Sequence, residues 1–215
     1  MSHISSLPAF LNQRYQDWKS GPYLEKQDKL RQLADEGQTP HSMVISCSDS
    51  RLHVTGLFGA SEGEIFSHRN VANFVPAASA TGDNHGTAAA LQYAVTVLKV
   101  PHIVVVGHAG CGGIKGCHDL CSGDNEALAE EGNFVGRWVS LLQPAYQALI
   151  AKDGKGDLTK LEQEGVLLSL DNLMSYDFIA DAVADGSLSL HGLWHDIGAG
   201  ALYGYEADSD SFLML

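Results

Sequence analysis

Residues 87–106 read TAAALQYAVTVLKVPHIVVV, and this stretch decides the fold class. Thr87 to Leu98 is rich in Ala and Leu with apolar residues at helical spacing, which predicts a helix. Ile103 to Val106 is β-branched and uninterrupted, the pattern of a strand buried on both faces. A helix feeding such a strand is the crossover of a parallel sheet. Outward from there, Met43 to Ile45 is another short apolar run, and Glu64 to Phe66 is a further candidate strand. Phe134 to Ala151 and Thr159 to Ala184 read as helices, Lys152 to Asp157 as a loop, and Leu188 to Trp194 as a late strand. Strands alternating with helices predict an α/β fold, a mostly parallel central sheet flanked by helices. Ahead of it, Phe10, Leu11, Tyr15 and Trp18, then Tyr23, Leu24, Leu30 and Leu33, mark two helices broken at Gly21-Pro22. Pattern alone leaves open whether these two pack on the chain's own sheet or on a partner subunit.

The 215 residues are 45% apolar and 18% charged, an ordinary globular balance in a chain long enough to bury a core without disulfides. Thirteen Lys and Arg against 26 Asp and Glu give a net charge of −13. Such a surface repels phosphate backbones and anionic lipid heads, so no nucleic-acid or membrane partner is expected. The apolar runs fall far below the ~20 residues that span a bilayer. Met1-Ser2-His3-Ile4 has no basic n-region and no apolar h-region. Together with four Cys, this points to a reducing cytoplasm, where Cys is more often a metal ligand or nucleophile than half of a bridge.

Chemistry-bearing residues gather in two places. Cys47-Ser48-Asp49-Ser50-Arg51 follows the strand at Met43, and His108-Ala109-Gly110-Cys111-Gly112-Gly113 follows the strand at Ile103. Both lie past the carboxyl ends of strands, where open α/β sheets place their ligand crevices. If the two strands are neighbours, Cys47 meets His108 and Cys111. Two thiolates and an imidazole suit Zn²⁺, and three protein ligands leave the open fourth position of a catalytic site. Closing that position would fall to Cys117, Cys121 or Asp49; for the first two, a role as small buried thiols is commoner. Arg51 can hold Asp49 in a bidentate pair, keeping it ionised and off the metal, free to accept a hydrogen bond from a water activated there. Taken alone, Cys-x-Asp-x-Arg is better read as a turn with a solvated Arg; joined to a strand end and a distant His-x-x-Cys, the balance reverses. No G-x-G-x-x-G, P-loop, C-x-x-C or G-x-S-x-G is present, so a nucleotide fold, a thioredoxin-like centre and a serine hydrolase lack support.

CSDSR (47–51), HRNVAN (68–73), LQYAV (91–95), HIVVVGH (102–108), GHAGCGG (107–113) and LHGLWHDIGAGAL (190–202) together resemble the β-class carbonic anhydrases in order and spacing. The resemblance runs from about Gln38 to Leu202 and implies a single domain. In it, residues 1–36 are a helical arm, 38–202 the zinc-binding α/β core and 203–215 a tail. It further implies zinc on Cys47, His108 and Cys111, a catalytic dyad of Asp49 and Arg51, and reversible hydration of CO₂ to bicarbonate. The expected assembly is a homodimer or dimer of dimers, with N-terminal helices embracing the neighbour and active sites at the subunit interface. Gln38, Phe66, Tyr93 and Gly112 resemble the substrate pocket of the plant-like members. Members with an additional bicarbonate site carry Trp and Gly where this chain has Val44 and Ser46, which sets it apart from them. Leu52-His53 stands where Val-Pro is usual. Hydrolysis of carbonyl sulfide or carbon disulfide at the same zinc, and a closed non-enzymatic zinc protein, are the alternative readings.

Overall fold

A computed structural model describes residues 3–80, 85–154 and 156–215. The chain divides into two compact units, Met1–Gln38 and Thr39–Leu215. The first unit holds α1 (Ala9–Ser20) and α2 (Pro22–Glu36), parted at Gly21. Pro22 enters α2 at its first turn, where a missing N–H costs nothing, and Gly37 ends the helix with φ 86°. Neither helix buries a residue. Phe10, Leu11, Tyr15, Trp18 and Leu24 are exposed, with the Tyr15, Trp18 and Tyr23 rings grouped at centroid distances of 6.1 and 5.1 Å.

In the second unit β1 (Ser42–Cys47) leads through the short α3 (Val54–Leu57) to β2 (Ile65–Asn70). Helix α4 (His85–Gln92) widens into a π turn over Tyr93–Val97 before β3 (His102–His108). Helices α5 (Gly112–Ser122), α6 (Phe134–Val139), α7 (Gln143–Asp153), α8 (Leu158–Leu173) and α9 (Asp177–Ala184) precede β4 (Ser189–Asp196), β5 (Ala201–Glu206) and β6 (Ser211–Met214). The strands form one sheet in the order β2-β1-β3-β4-β5-β6. The first four are parallel, and β5 and β6 are antiparallel additions at one edge. The α/β class and the mostly parallel sheet expected from residues 87–106 are what the structure contains.

Both faces of the central strands are covered, as their continuous apolar runs require. Met43, Ile45, Ile103 and Val105 pack into one core with Leu91, Ala94, Leu173 and Ile179. Val44 and Val106 face the other with Ile114, Val139, Leu142 and Leu161. Helix α8 crosses β3 so closely that a Cβ at Gly107 would lie 2.7 Å from Val166 Cγ2.

Three expectations change. The helix read over 134–151 is α6 and α7 joined by a tight turn at Ser140–Leu142, because Pro144 lacks an N–H and is tolerated only in the first turn of α7. The helix read over 159–184 is α8 and α9. Between them the chain is tied to the segment after β2, through Asn172 Nδ2 to Val75 O at 2.8 Å and Tyr176 O–H to Pro76 O at 2.9 Å. The tail read at 203–215 instead carries most of β5 and all of β6, since Tyr205 and Phe212 pair across these strands with rings 5.5 Å apart. Gly107→Ala is expected to strain the β3–α8 packing against the stiff Val166 by about 1–3 kcal/mol, read as a lower urea midpoint with an unchanged slope.

Candidate metal centre

Strands β1 and β3 are direct neighbours, in register from Met43↔Ile103 to Ser46↔Val106. Their carboxyl ends therefore release Cys47 and His108 side by side. One thiol sulfur from each cysteine and an imidazole nitrogen of His108 all lie within 4.8 Å of one another, with the sulfurs 3.8 Å apart. All three residues are buried, His108 completely.

The donor atoms are prepared for a metal. His108 Nδ1 is 3.0 Å from the carbonyl oxygen of Ala109, which can only accept, so Nδ1 carries the proton and Nε2 keeps its lone pair. That Nε2 is buried with no hydrogen-bond partner, an orphan that a cation satisfies. The two thiols titrate in opposite directions. The Cys111 thiol pulls the Cys47 pKa down to about 4, while the neighbouring Cys47 thiolate and burial push Cys111 up. Backbone amides of Asp49 and Ala72 help to lower the Cys47 thiol, and those of Gly113 and Ile114, in the first turn of α5, oppose the rise of Cys111. N–H donors at a helix start favour thiolate over thiol. Buried S, S and N donors of this kind fit Zn²⁺.

Asp49 stands beside this group, with Oδ2 4.0 Å from His108 Nε2. Arg51 grips it from three donors: the amide N–H and Nε–H reach Oδ1 at 2.9 and 3.0 Å, and Nη2–H reaches Oδ2 at 2.7 Å. These bonds hold the carboxyl well below the usual range. Arg51 Nη2 also donates to Gly110 O at 2.9 Å, lashing the loop after β1 to the loop after β3. Gly110 turns there with φ 67°, and Gly113 must be Gly because a Cβ would sit 2.7 Å from Val71 Cγ1 and 2.9 Å from Ala72 Cβ. Cys117 and Cys121 stand outside the group on α5, and burial pushes both thiols up.

The pocket residues are dispersed. A Cβ at Gly112 would meet nothing within 4 Å, so open space adjoins Cys111. Phe66 and Tyr93 lie ring to ring at 5.9 Å. Phe66 is in register with Met43, which sets it four residues back along β1 from Cys47, ~13 Å at strand rise. Gln38 is the last residue of the first unit.

Three residues to which the motifs assign no role support the loops around the site. Arg69 donates to the carbonyl oxygens of Cys47, Asp49 and Leu52 at 2.9, 2.7 and 2.9 Å, fixing the loop after β1. His53 Nδ1 accepts the Gly56 N–H at 3.2 Å and caps α3, while Leu52 is buried in the core, which accounts for Leu-His in place of Val-Pro. Glu162, 4% exposed on α8, accepts the Cys111 N–H at 3.0 Å on Oε1 and the Trp194 indole N–H at 3.0 Å on Oε2. Burial pushes its carboxyl up, and these donors oppose the shift. Its signal was in the sequence: 162 shares the buried stripe of α8 with Val166, Ser169 and Leu173, and a carboxylate in such a stripe needs partners.

A second group of His118, Asp119 and Asp124 is close enough for a metal, but the Lys115 ammonium already sits on Asp119. No helix among the described residues is long and apolar enough to cross a membrane.

The family model for carbonic anhydrase matches residues 42–202. Beta carbonic anhydrase 3 of Arabidopsis thaliana is 35% identical over 189 residues, 86% of this chain and 71% of that protein. The chain belongs to the β-carbonic anhydrases. That membership makes it an enzyme of the lyase class, a carbonate dehydratase. Among solved structures, the β-carbonic anhydrase CcaA is 30% identical with a TM-score of 0.86, over 95% of this chain and 98% of its own. A tetrameric β-carbonic anhydrase of Sordaria macrospora is 30% identical with a TM-score of 0.74, over 91% of this chain and 94% of its own. A β-carbonic anhydrase of Coccomyxa is 26% identical with a TM-score of 0.77, over 92% of this chain and 86% of its own.

Arg69→Ala is expected to cost about 2–4 kcal/mol, since three carbonyls lose a charged donor, and chemical denaturation reads it directly.

Proposed function

We propose that the protein catalyses the reversible hydration of CO₂ to bicarbonate and a proton at a zinc ion held by Cys47, His108 and Cys111. The observation that carries this reading is one constellation. Two thiols and an unpartnered imidazole nitrogen converge at the ends of β1 and β3, beside a carboxylate already locked by an arginine. When bound, zinc supplies Lewis-acid chemistry, acidifying a water so that it attacks as a nucleophile near neutral pH.

The remaining work belongs to side chains of this chain. Asp49, kept ionised by Arg51, is an acceptor only. Its Oδ2, which faces His108, takes a hydrogen bond from the attacking oxygen, so that a lone pair of that oxygen points at the carbon of CO₂. Arg51 keeps Asp49 from rotating onto the metal, because both carboxylate oxygens are occupied by its N–H groups. This supports an open, catalytic site over a closed structural one. Gly112 leaves room for a small substrate next to Cys111.

Phe66 and Tyr93, far along the sheet from Cys47 in one chain, line the substrate site of a neighbouring copy in this reading. Tyr93 is 46% exposed, as a residue offered to a partner must be. The exposed aromatic face of α1 and α2 and the tetrameric Sordaria relative support a homodimer or dimer of dimers. Gln38 is assigned to the pocket on the family resemblance. Free thiols throughout the four Cys suit a cytoplasmic setting.

Asp49→Ala is expected to retain zinc and to lose CO₂ hydration by roughly 10²-fold or more in stopped-flow assays, with full activity excluding the dyad. Cys47→Ser is expected to lose the ion and to melt at a lower temperature; an unchanged zinc content by metal analysis would remove the ligand assignment.

A further inference from the structure

Three consecutive residues of the loop between β3 and α5 are each anchored by a different element. The Ala109 N–H donates to His195 O of β4 at 2.9 Å, Gly110 O accepts from Arg51 Nη2 at 2.9 Å, and the Cys111 N–H donates to Glu162 Oε1 of α8 at 3.0 Å. The third anchor differs in kind, because it is a buried carboxylate whose other oxygen is also engaged, by the Trp194 indole 3.0 Å away. Two donors facing two oxygens leave no place for an amide, whose NH2 end would set N–H against N–H. A buried charge persists where its lone pairs are satisfied in this way.

We infer that Glu162 is a positioning residue, whose carboxylate holds the Cys111 amide and so aims the Cys111 thiol at the metal. Cys111 is the residue at which the loop becomes α5, and its carbonyl receives the Lys115 N–H at 3.0 Å that closes the first helical turn. Its amide has no helical partner of its own. Fixing that amide fixes the Cα–Cβ direction, and with it the sulfur that stands 3.8 Å from Cys47 Sγ. The inference rests on the assignment of Cys47, His108 and Cys111 as zinc ligands.

Zinc affinity, measured by competition with a chromophoric chelator on the full-length protein, tests it. Glu162→Gln is expected to bind zinc 10–100-fold more weakly, the loss typical of a partner that orients a ligand (on the order of tenfold or more). Trp194→Phe removes the opposing donor and keeps the Cys111 bond, so its affinity stays within about twofold of wild type. In the double variant Glu162→Gln/Trp194→Phe the amide oxygen is free to accept from Cys111, and affinity returns to within about twofold of Trp194→Phe. The thiolate-to-cobalt charge-transfer band of the cobalt-loaded protein shifts in Glu162→Gln and recovers in the double variant, which a loss of general stability does not reproduce. Wild-type affinity in Glu162→Gln, or no recovery in the double variant, overturns the inference while leaving the ligand assignment intact. A wild-type protein that takes up no zinc brings down both.

Discussion

The parallel pairing of β1 with β3 is the constraint on which the rest of the site depends. Neither strand carries chemistry along its length; Met43, Val44, Ile45, Ile103, Val105 and Val106 are buried apolar residues that need cover on both faces. Their register brings Ser46 opposite Val106, so the last residues of the two strands, Cys47 and His108, end close together. A slip in that pairing would move Cys47 away from His108 by a strand rise of about 3.3 Å per residue and separate the donors. Hydrophobic burial, through register, therefore sets the distance between two thiols and an imidazole.

Electrostatics then decides what the grouped donors can be. Two thiols at 3.8 Å do not ionise alike: Cys111 favours the Cys47 thiolate, and that thiolate together with burial pushes Cys111 up. The unpartnered nitrogen of His108 is the complementary feature, a buried lone pair with nothing to receive it. Arg51 commits both oxygens of Asp49 and also ties the two loops together at Gly110. One arginine thus restrains an acid and fastens the two loops beside it.

Behind the donors lies a layer of polar side chains whose hydrogen bonds fix the loops. Arg69 collects three carbonyls under the loop after β1, and Glu162 collects an amide and an indole under the loop after β3. Helix α8 presents Glu162 because it lies against Gly107, where the missing side chain allows the close approach. The packing that closes the core is the same packing that delivers the carboxylate.

By itself the sequence determined the class of fold and pointed to the three residues that the structure groups, Cys47, His108 and Cys111. Residues 87–106 carry a helix-to-strand periodicity that sets a parallel sheet, and CSDSR and HAGC follow their strands directly, so local pattern sufficed. Legible too were the breaks at Gly21-Pro22 and the strand ends, where Gly, Pro and β-branched residues act through their own backbone preferences. Tertiary structure alone decided the split of 134–151 and 159–184, the strands within 203–215, and the separation of Phe66 from Cys47. It also decided the work of Arg69 and Glu162, whose partners are 17 to 51 residues away in the chain. These features depend on which distant groups meet and on how deeply they are buried. Such facts arise only when the chain has closed on itself, because a hydrogen bond or a turn of this kind has no periodic trace in the residues that make it.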